Sequence, residues 1–160
     1  MRPTVLLLAA ALALGAATSV FAMGNSSDKP APAAASVDLN YTKAKAMIEA
    51  KDYKNALPLL QQVVTKDPKN ADAYNLIGFA TRKSGDANGA LVYYNQALGI
   101  DPKHLGAHEY VGEAYLQLGR LSDAEQELAK LDSLCVFGCV EQRTLKQAIA
   151  DFKAGRKPTN

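Results

Sequence analysis

The sequence predicts an all-α protein of three helix-turn-helix repeats followed by a C-terminal capping helix. Three observations carry this. Segments 37–70, 71–104 and 105–138 align at a spacing of 34 residues. Small and apolar residues recur in register: Ala56, Ala90 and Ala124; Gly78 and Gly112; Leu60, Tyr94 and Leu128; Val63, Ala97 and Leu131. Punctuation recurs too, with Gly85 and Gly119 in one slot and the tripeptide DPK around Pro68 and Pro102 in another. Self-similarity at such a period marks stacked supersecondary units, none of which buries its apolar face alone.

The second unit shows the elements best. AYNLIGFATRKSG reads as a first helix, Gly85-Asp86 as the turn, and ANGALVYYNQALGI as a second helix. Gly78 and Ala90 are small where the two helices approach. Tyr94, Ala97 and Leu98 follow the spacing of an apolar helix face, which makes Tyr94 or Tyr93 a core aromatic and the other a surface one. Pro102 cannot continue the second helix but can open the next, where its missing N–H costs nothing. After Gly138, residues 140–153 read as one more helix, with Leu145, Ala148, Ile149 and Phe152 on one stripe. Such a helix covers the last apolar face of the stack. The tail, 155–160, is expected to fray.

The N-terminal part reads differently. Met1-Arg2-Pro3 is a short basic start, Thr4 to Phe21 an uncharged apolar run, and Val20-Phe21-Ala22 places small residues where a signal peptidase reads them. Residues 1–22 are therefore expected to be a cleaved signal peptide. The alternative is a retained anchor helix, which the Ala-rich run and the absence of a charged stop disfavour. Residues 23–36, including GNSSDKPAPAAAS, read as a flexible leader. The helical domain is expected at 37–154. Export places the protein in the periplasm, with no membrane insertion once the signal is removed. With 18 Lys and Arg against 16 Asp and Glu, composition gives no push towards nucleic acid.

The pattern resembles the tetratricopeptide repeat family. The second unit carries Tyr74, Gly78, Gly85, Ala90, Tyr94, Ala97 and Pro102 in signature slots; the third carries Gly112, Tyr115, Gly119 and Ala124. In the first, Ala44 replaces the helix-contact Gly and Lys51 the turn Gly. A group of small bacterial secreted repeat proteins is similar in having a Cys pair just after the last repeat. The resemblance implies seven helices in a right-handed superhelix, whose concave groove, lined by the first helix of each repeat, binds a peptide or partner protein. On that pattern the groove-facing set is Tyr41, Lys45 and Ile48, then Asn75, Phe79 and Arg82, then Glu109, Glu113 and Leu116. Charge along the repeats is uneven: net +2, 0 and −4, with +3 after them. A polarised groove favours a segment of opposite polarity and fixes its direction; the plainer reading is that these charges solubilise helix faces. One variant of the family clamps a peptide's terminal carboxylate with Lys and Asn residues. Lys45 and Asn75 are loosely similar to that set, but Gly106, Glu109 and Tyr110 stand in its third-repeat region, and acids there repel a carboxylate.

His104 and His108, the only histidines, stand four apart and so share a helix face within reach of one metal ion. The plainer reading puts His108 in the half-buried aromatic slot that Tyr74 holds one repeat earlier. Cys135 and Cys139 replace the DPK turn with Cys-Val-Phe-Gly-Cys. In an oxidising compartment the pair reads first as a disulfide that pins the capping helix to the last repeat. A thiolate site for copper or zinc and a redox centre are the alternatives. Neither CxxC spacing nor a strand–helix setting supports the redox reading.

No Ser-His-Asp arrangement, phosphate-binding Gly loop or paired acid and base stands out. The leading expectation is a non-enzymatic, cofactor-free scaffold of the cell envelope that binds a protein or peptide in its groove. The alternative is a periplasmic metal-handling protein using Cys135/Cys139 or His104/His108.

Overall fold

The computed structural model describes residues 38–158. The expected signal peptide and leader lie outside them. Seven helices follow one another: α1 (Leu39–Glu49), α2 (Tyr53–Lys66), α3 (Ala71–Lys83), α4 (Ala87–Ile100), α5 (Leu105–Gln117), α6 (Leu121–Leu134) and α7 (Val140–Lys153). Among the described residues no strand occurs, and no helix is long and apolar enough to cross a membrane.

Five of the seven helix starts carry a side-chain cap; α2 and α6 do not. A helix leaves its first N–H groups unpaired, and a short side chain before it can accept one. Asp38 accepts from Asn40 and Tyr41, Asn70 from Ala73, and Asp86 from Gly89. His104 does the same through its ring, and Cys139 through its sulfur.

The turns inside the three hairpins share one geometry. Lys51, Gly85 and Gly119 occupy the left-handed region, at φ 61°, 100° and 74°. In each, the next N–H reaches back to close the helix: Asp52 to Met47 O at 2.8 Å, Asp86 to Thr81 O at 3.2 Å, Arg120 to Tyr115 O at 2.8 Å. This is the helix-ending bond that a left-handed residue permits. Gly155, at φ 76°, repeats it after α7, with Arg156 N–H on Asp151 O at 3.0 Å. Arg156 at the start of the tail is thus held to the end of α7. The Arg156 guanidinium also pairs with Asp151.

Consecutive helices pack on one another, and α7 lies against both α5 and α6. The core runs through the stack in three clusters: around Leu60, Val63 and Ile77; around Leu91, Tyr94 and Val111; and around Leu116, Leu131, Leu145 and Ile149. Tyr94 is fully buried and Tyr93 half-buried. The two helix glycines serve different neighbours. A Cβ on Gly78 would stand 2.5 Å from Tyr94 Cε1, inside the α3–α4 hairpin. A Cβ on Gly112 would stand 2.5 Å from Leu145 Cδ2, so Gly112 admits the capping helix α7.

Candidate functional site

Helices α1, α3 and α5 carry the predicted groove residues in three rows of equivalent positions. The rows do not share one environment. Lys45 is exposed and Phe79 half-buried, while Glu113 has 17% of its side chain exposed. This row is the outward one. In the second row Tyr41 is half-buried, whereas Asn75 and Glu109 are 7% and 9% exposed. In the third, Ile48 packs on the first core cluster, Arg82 has no exposure, and Leu116 sits in the third core cluster at 1%. Leu116 thus packs in the core beneath α7 and borders only the small cavity described below. Arg82 is reached only through the residues that enclose it.

Phe79, Arg82 and Glu113 come together. Arg82 donates from Nη2 to Glu113 Oε2 at 2.5 Å and from Nε to the Tyr94 hydroxyl at 3.3 Å. Its guanidinium carbon stands 5.6 Å from the Phe79 ring centroid and 5.7 Å from that of Tyr110, within cation–π range. Phe79 also meets Tyr110 at 5.0 Å and Tyr53 at 6.1 Å. Lys83 Nζ lies 5.4 Å from the Phe79 ring centroid, and burial, with Arg82 close by, lowers the Lys83 pKa. Two buried polar atoms on α3 have no hydrogen-bond partner: Arg82 Nη1 and Asn75 Oδ1.

The acids beside this cluster are perturbed. Burial pushes the Glu109 carboxyl up to about 7, and the charges of Glu113 and Glu141 add to it. Burial likewise raises the Tyr110 hydroxyl to about 12, with Glu109 and Glu113 contributing. Taking a carboxylate out of water next to other carboxylates favours its neutral form.

The wall opposite α5 is α7. Between them opens a trough of about 520 Å³ lined by Glu113, Arg143, Thr144, Gln147, Ala148 and Asp151. At its end Leu116, Arg156, Lys157 and Pro158 border a smaller cavity of about 60 Å³ with Glu113, Ala148 and Asp151. Sequence reasoning treated α7 only as a lid. Its polar positions Arg143, Thr144, Gln147 and Asp151 follow helix-face spacing, and that periodicity was the available signal. Tyr53 and Tyr110, which enclose Phe79, carried no comparable mark.

The histidines separate. His104 Nδ1 accepts the Ala107 N–H at 3.1 Å, so Nε2 carries the proton it donates to Asp72 Oδ1 at 3.0 Å. His108 is 5% exposed, between two acceptors: Glu127 Oε2 at 2.7 Å from Nδ1 and Pro102 O at 3.0 Å from Nε2. The hydrogen bond to Glu127 raises its pKa against the opposing effect of burial. Both nitrogens of each ring are engaged, and no ring points at the other. Cys135 and Cys139 are joined in a disulfide, with α-carbons 5.6 Å apart. The free thiolates that a metal site needs are thus consumed.

Comparison with known proteins agrees with this architecture. The chain is 32% identical over 83 residues to the protein O-mannosyl-transferase Tmtc3 of Drosophila melanogaster, which is 52% of this chain but 9% of that protein. It spans less than a tenth of the length of the curated relatives it matches. Among solved structures, the type III secretion translocator chaperone SycD of Yersinia enterocolitica superposes with a TM-score of 0.65 at 19% identity, over 72% of this chain and 82% of that one. SycD in complex with a peptide of the translocator YopD gives 0.62 at 20%, over 72% and 88%. MamA of Desulfovibrio magneticus gives 0.57 at 27%, over 59% of this chain and 54% of that one. Two tetratricopeptide repeat models match residues 41–104 and 82–133. Together they take in more than half of the chain and run through the three hairpins described above. With helix order, left-handed turns and small-residue contacts all recurring at the repeat spacing, the chain belongs to the tetratricopeptide repeat family.

Proposed function

We propose that this chain is a non-catalytic scaffold of the cell envelope that holds a peptide segment of a partner protein in the trough between α5 and α7. The observation that carries the reading is the trough itself. It is open, about 520 Å³, and walled by Glu113, Arg143, Thr144, Gln147 and Asp151. A row of such groups offers donors and acceptors to an extended backbone, and Ala148 offers a small apolar contact between them. SycD, whose fold this chain shares, is seen with a YopD peptide; that likeness supports the scaffold class and leaves the partner to experiment. The periplasmic location rests on the sequence of residues 1–22 alone.

The test is site-specific cross-linking in the host. A photoreactive residue replacing Gln147, which is exposed on the trough wall, is expected to capture one defined partner. The same residue replacing Gln96, exposed on α4, is expected to capture none. Equal capture at both positions, or capture at Gln96 alone, would sink the trough as the binding site. Fractionation of the same cells tests location: a cytoplasmic, full-length chain would end the envelope reading.

A further inference from the structure

Three large apolar side chains stand exposed together at the α6–α7 junction: Val136 at 78%, Phe137 at 101% and Val140 at 63%. They sit on a loop with little freedom. The Cys135–Cys139 disulfide closes it, Gly138 turns it at φ 79°, and Gly138 N–H bonds Cys135 O at 2.8 Å. Cys139 Sγ also caps α7 by accepting the Gln142 N–H at 3.4 Å. A clustered apolar patch on a soluble surface marks a contact site. A knob already ordered loses little entropy when it docks.

The same chain carries an apolar recess that such a knob fits. A cavity of about 460 Å³ opens across α2, α3 and α4, lined by Leu57, Pro58, Ile77, Val92 and Tyr93 together with the polar Gln61, Thr81 and Asp86. Val92 on its wall is itself 67% exposed. The charges match as well. Asp86 borders the cavity. Arg143 holds its Nη1 3.8 Å from where a Gly138 Cβ would stand, and forms no ion pair among the described residues. An apolar knob with a cation beside it therefore faces an apolar recess with an anion beside it. Asp132, which accepts the Gln142 side-chain amide at 2.6 Å, and Glu141 also stand near the loop in the chain, so the charge match rests on Arg143 alone.

We infer that copies of this chain associate head to tail, with Phe137 of one seated in the α2–α3–α4 recess of the next and Arg143 facing Asp86. Knob and recess are different surfaces, so the contact is heterologous: it extends into a row or closes into a ring. The recess shares no residue with the α5–α7 trough; Arg143 borders both contacts, so the test below uses Phe137 and Val92, which lie outside the trough.

The experiment is sedimentation velocity of the protein purified as its host processes it, disulfide intact, over a concentration series reaching the millimolar range. The sedimentation coefficient is expected to rise with concentration. Phe137→Asp and Val92→Asp should each weaken association by at least about tenfold while leaving the helical circular-dichroism spectrum unchanged. Mixed in equal amounts, the two variants should form a heterodimer and stop there, since one keeps its recess and the other its knob. A wild-type protein that stays monomeric throughout would overturn the inference. So would association that Phe137→Asp leaves intact, or a mixture that restores nothing. Phe137-dependent binding of a monomeric protein to phosphatidylglycerol vesicles would overturn it in favour of a lipid contact.

Discussion

Arg82 and Glu113 join α3 to α5 through a 2.5 Å charge-assisted hydrogen bond, made by an arginine with no solvent exposure. Removing one partner of a buried pair leaves the other charge uncompensated, which costs about 3–5 kcal/mol, whereas an apolar replacement of similar volume is often tolerated. Arg82→Ala is therefore expected to lower stability by about 3 kcal/mol or more, and Arg82→Met by much less. Arg82→Lys should not restore the wild-type value, because an ammonium cannot donate to both Glu113 and Tyr94 with the same fork. Urea unfolding midpoints decide it. An Arg82→Ala protein as stable as wild type would show that the pair contributes nothing.

Lys51 is the one non-glycine residue at positive φ among the described residues, in the slot that Gly85 and Gly119 fill in the next two hairpins. A side chain there costs roughly 1–2 kcal/mol over glycine. Lys51→Gly is expected to raise the thermal midpoint, with a gain of about 1 kcal/mol after the larger unfolded-state entropy of glycine is set against it. Gly85→Ala and Gly119→Ala should lower it. If Lys51→Gly is destabilising, the lysine makes a contact that outweighs its backbone strain.

The hairpins were legible in the sequence for a simple reason: the repeat spacing fixes Gly85, Gly119 and the small residues at once, so each position is read several times. The groove was not. Positions 48, 82 and 116 share a helix face with 45, 79 and 113 by spacing, yet spacing does not say where the next helix lands. Here α7 lands on Leu116 and encloses it. Arg82 looked like a surface cation because arginines usually are. Its burial depends on the Tyr94 hydroxyl and on Glu113, one helix further on. His108 takes an aromatic slot, as expected, but its partner Glu127 lies on α6 at no marked spacing.

Gly112 and Leu145 bring the third repeat and the capping helix into close apposition. A methyl group at Gly112 would meet two Leu145 methyls at 2.5 and 2.6 Å, so one side must move. Gly112→Ala is expected to cost about 1–3 kcal/mol. Leu145→Ala should also cost, through the cavity it leaves. The double variant should be less destabilised than the sum of the two, because the new methyl fills part of that space. Strict additivity in a double-mutant cycle would mean that the two residues do not touch.

The disulfide closes a loop of only five residues, Cys135 to Cys139. Loop-closure entropy then gives about 2 kcal/mol at most. Mild reduction is expected to lower the thermal midpoint without unfolding the chain, and to speed amide exchange first in α7. Exchange that rises equally in α1 would show that the bond supports the whole stack rather than the cap.

Stability should fall as pH rises from acid to mildly alkaline, and two groups drive it. Glu109 has its pKa raised from 4.5 to about 7 by burial, then by Glu113 and Glu141, with Arg82 opposing. An acid with a raised folded pKa binds more protons in the native state than in the unfolded one, so stability is lost as pH climbs from 4.5 through about 7. His108 is raised by its bond to Glu127 and by Pro102 O, against burial and the charge of Lys130. Its contribution is complete below the unfolded value of 6.5 and disappears as pH passes the folded one. Glu127 acts at the other end. Burial alone would raise it, but the bonds from His108 and Lys130 lower it, so its share is lost only as pH falls through its depressed value. Glu109→Gln should flatten the slope between pH 4.5 and 7 and stabilise the protein on the alkaline side, by on the order of 1–3 kcal/mol. His108→Gln should do the reverse at acid pH: a deficit near pH 5 that narrows as pH rises. Unfolding midpoints taken across this range for the three proteins separate the two groups. Parallel curves for wild type and Glu109→Gln would mean that the Glu109 carboxyl is as ionised in the fold as in water.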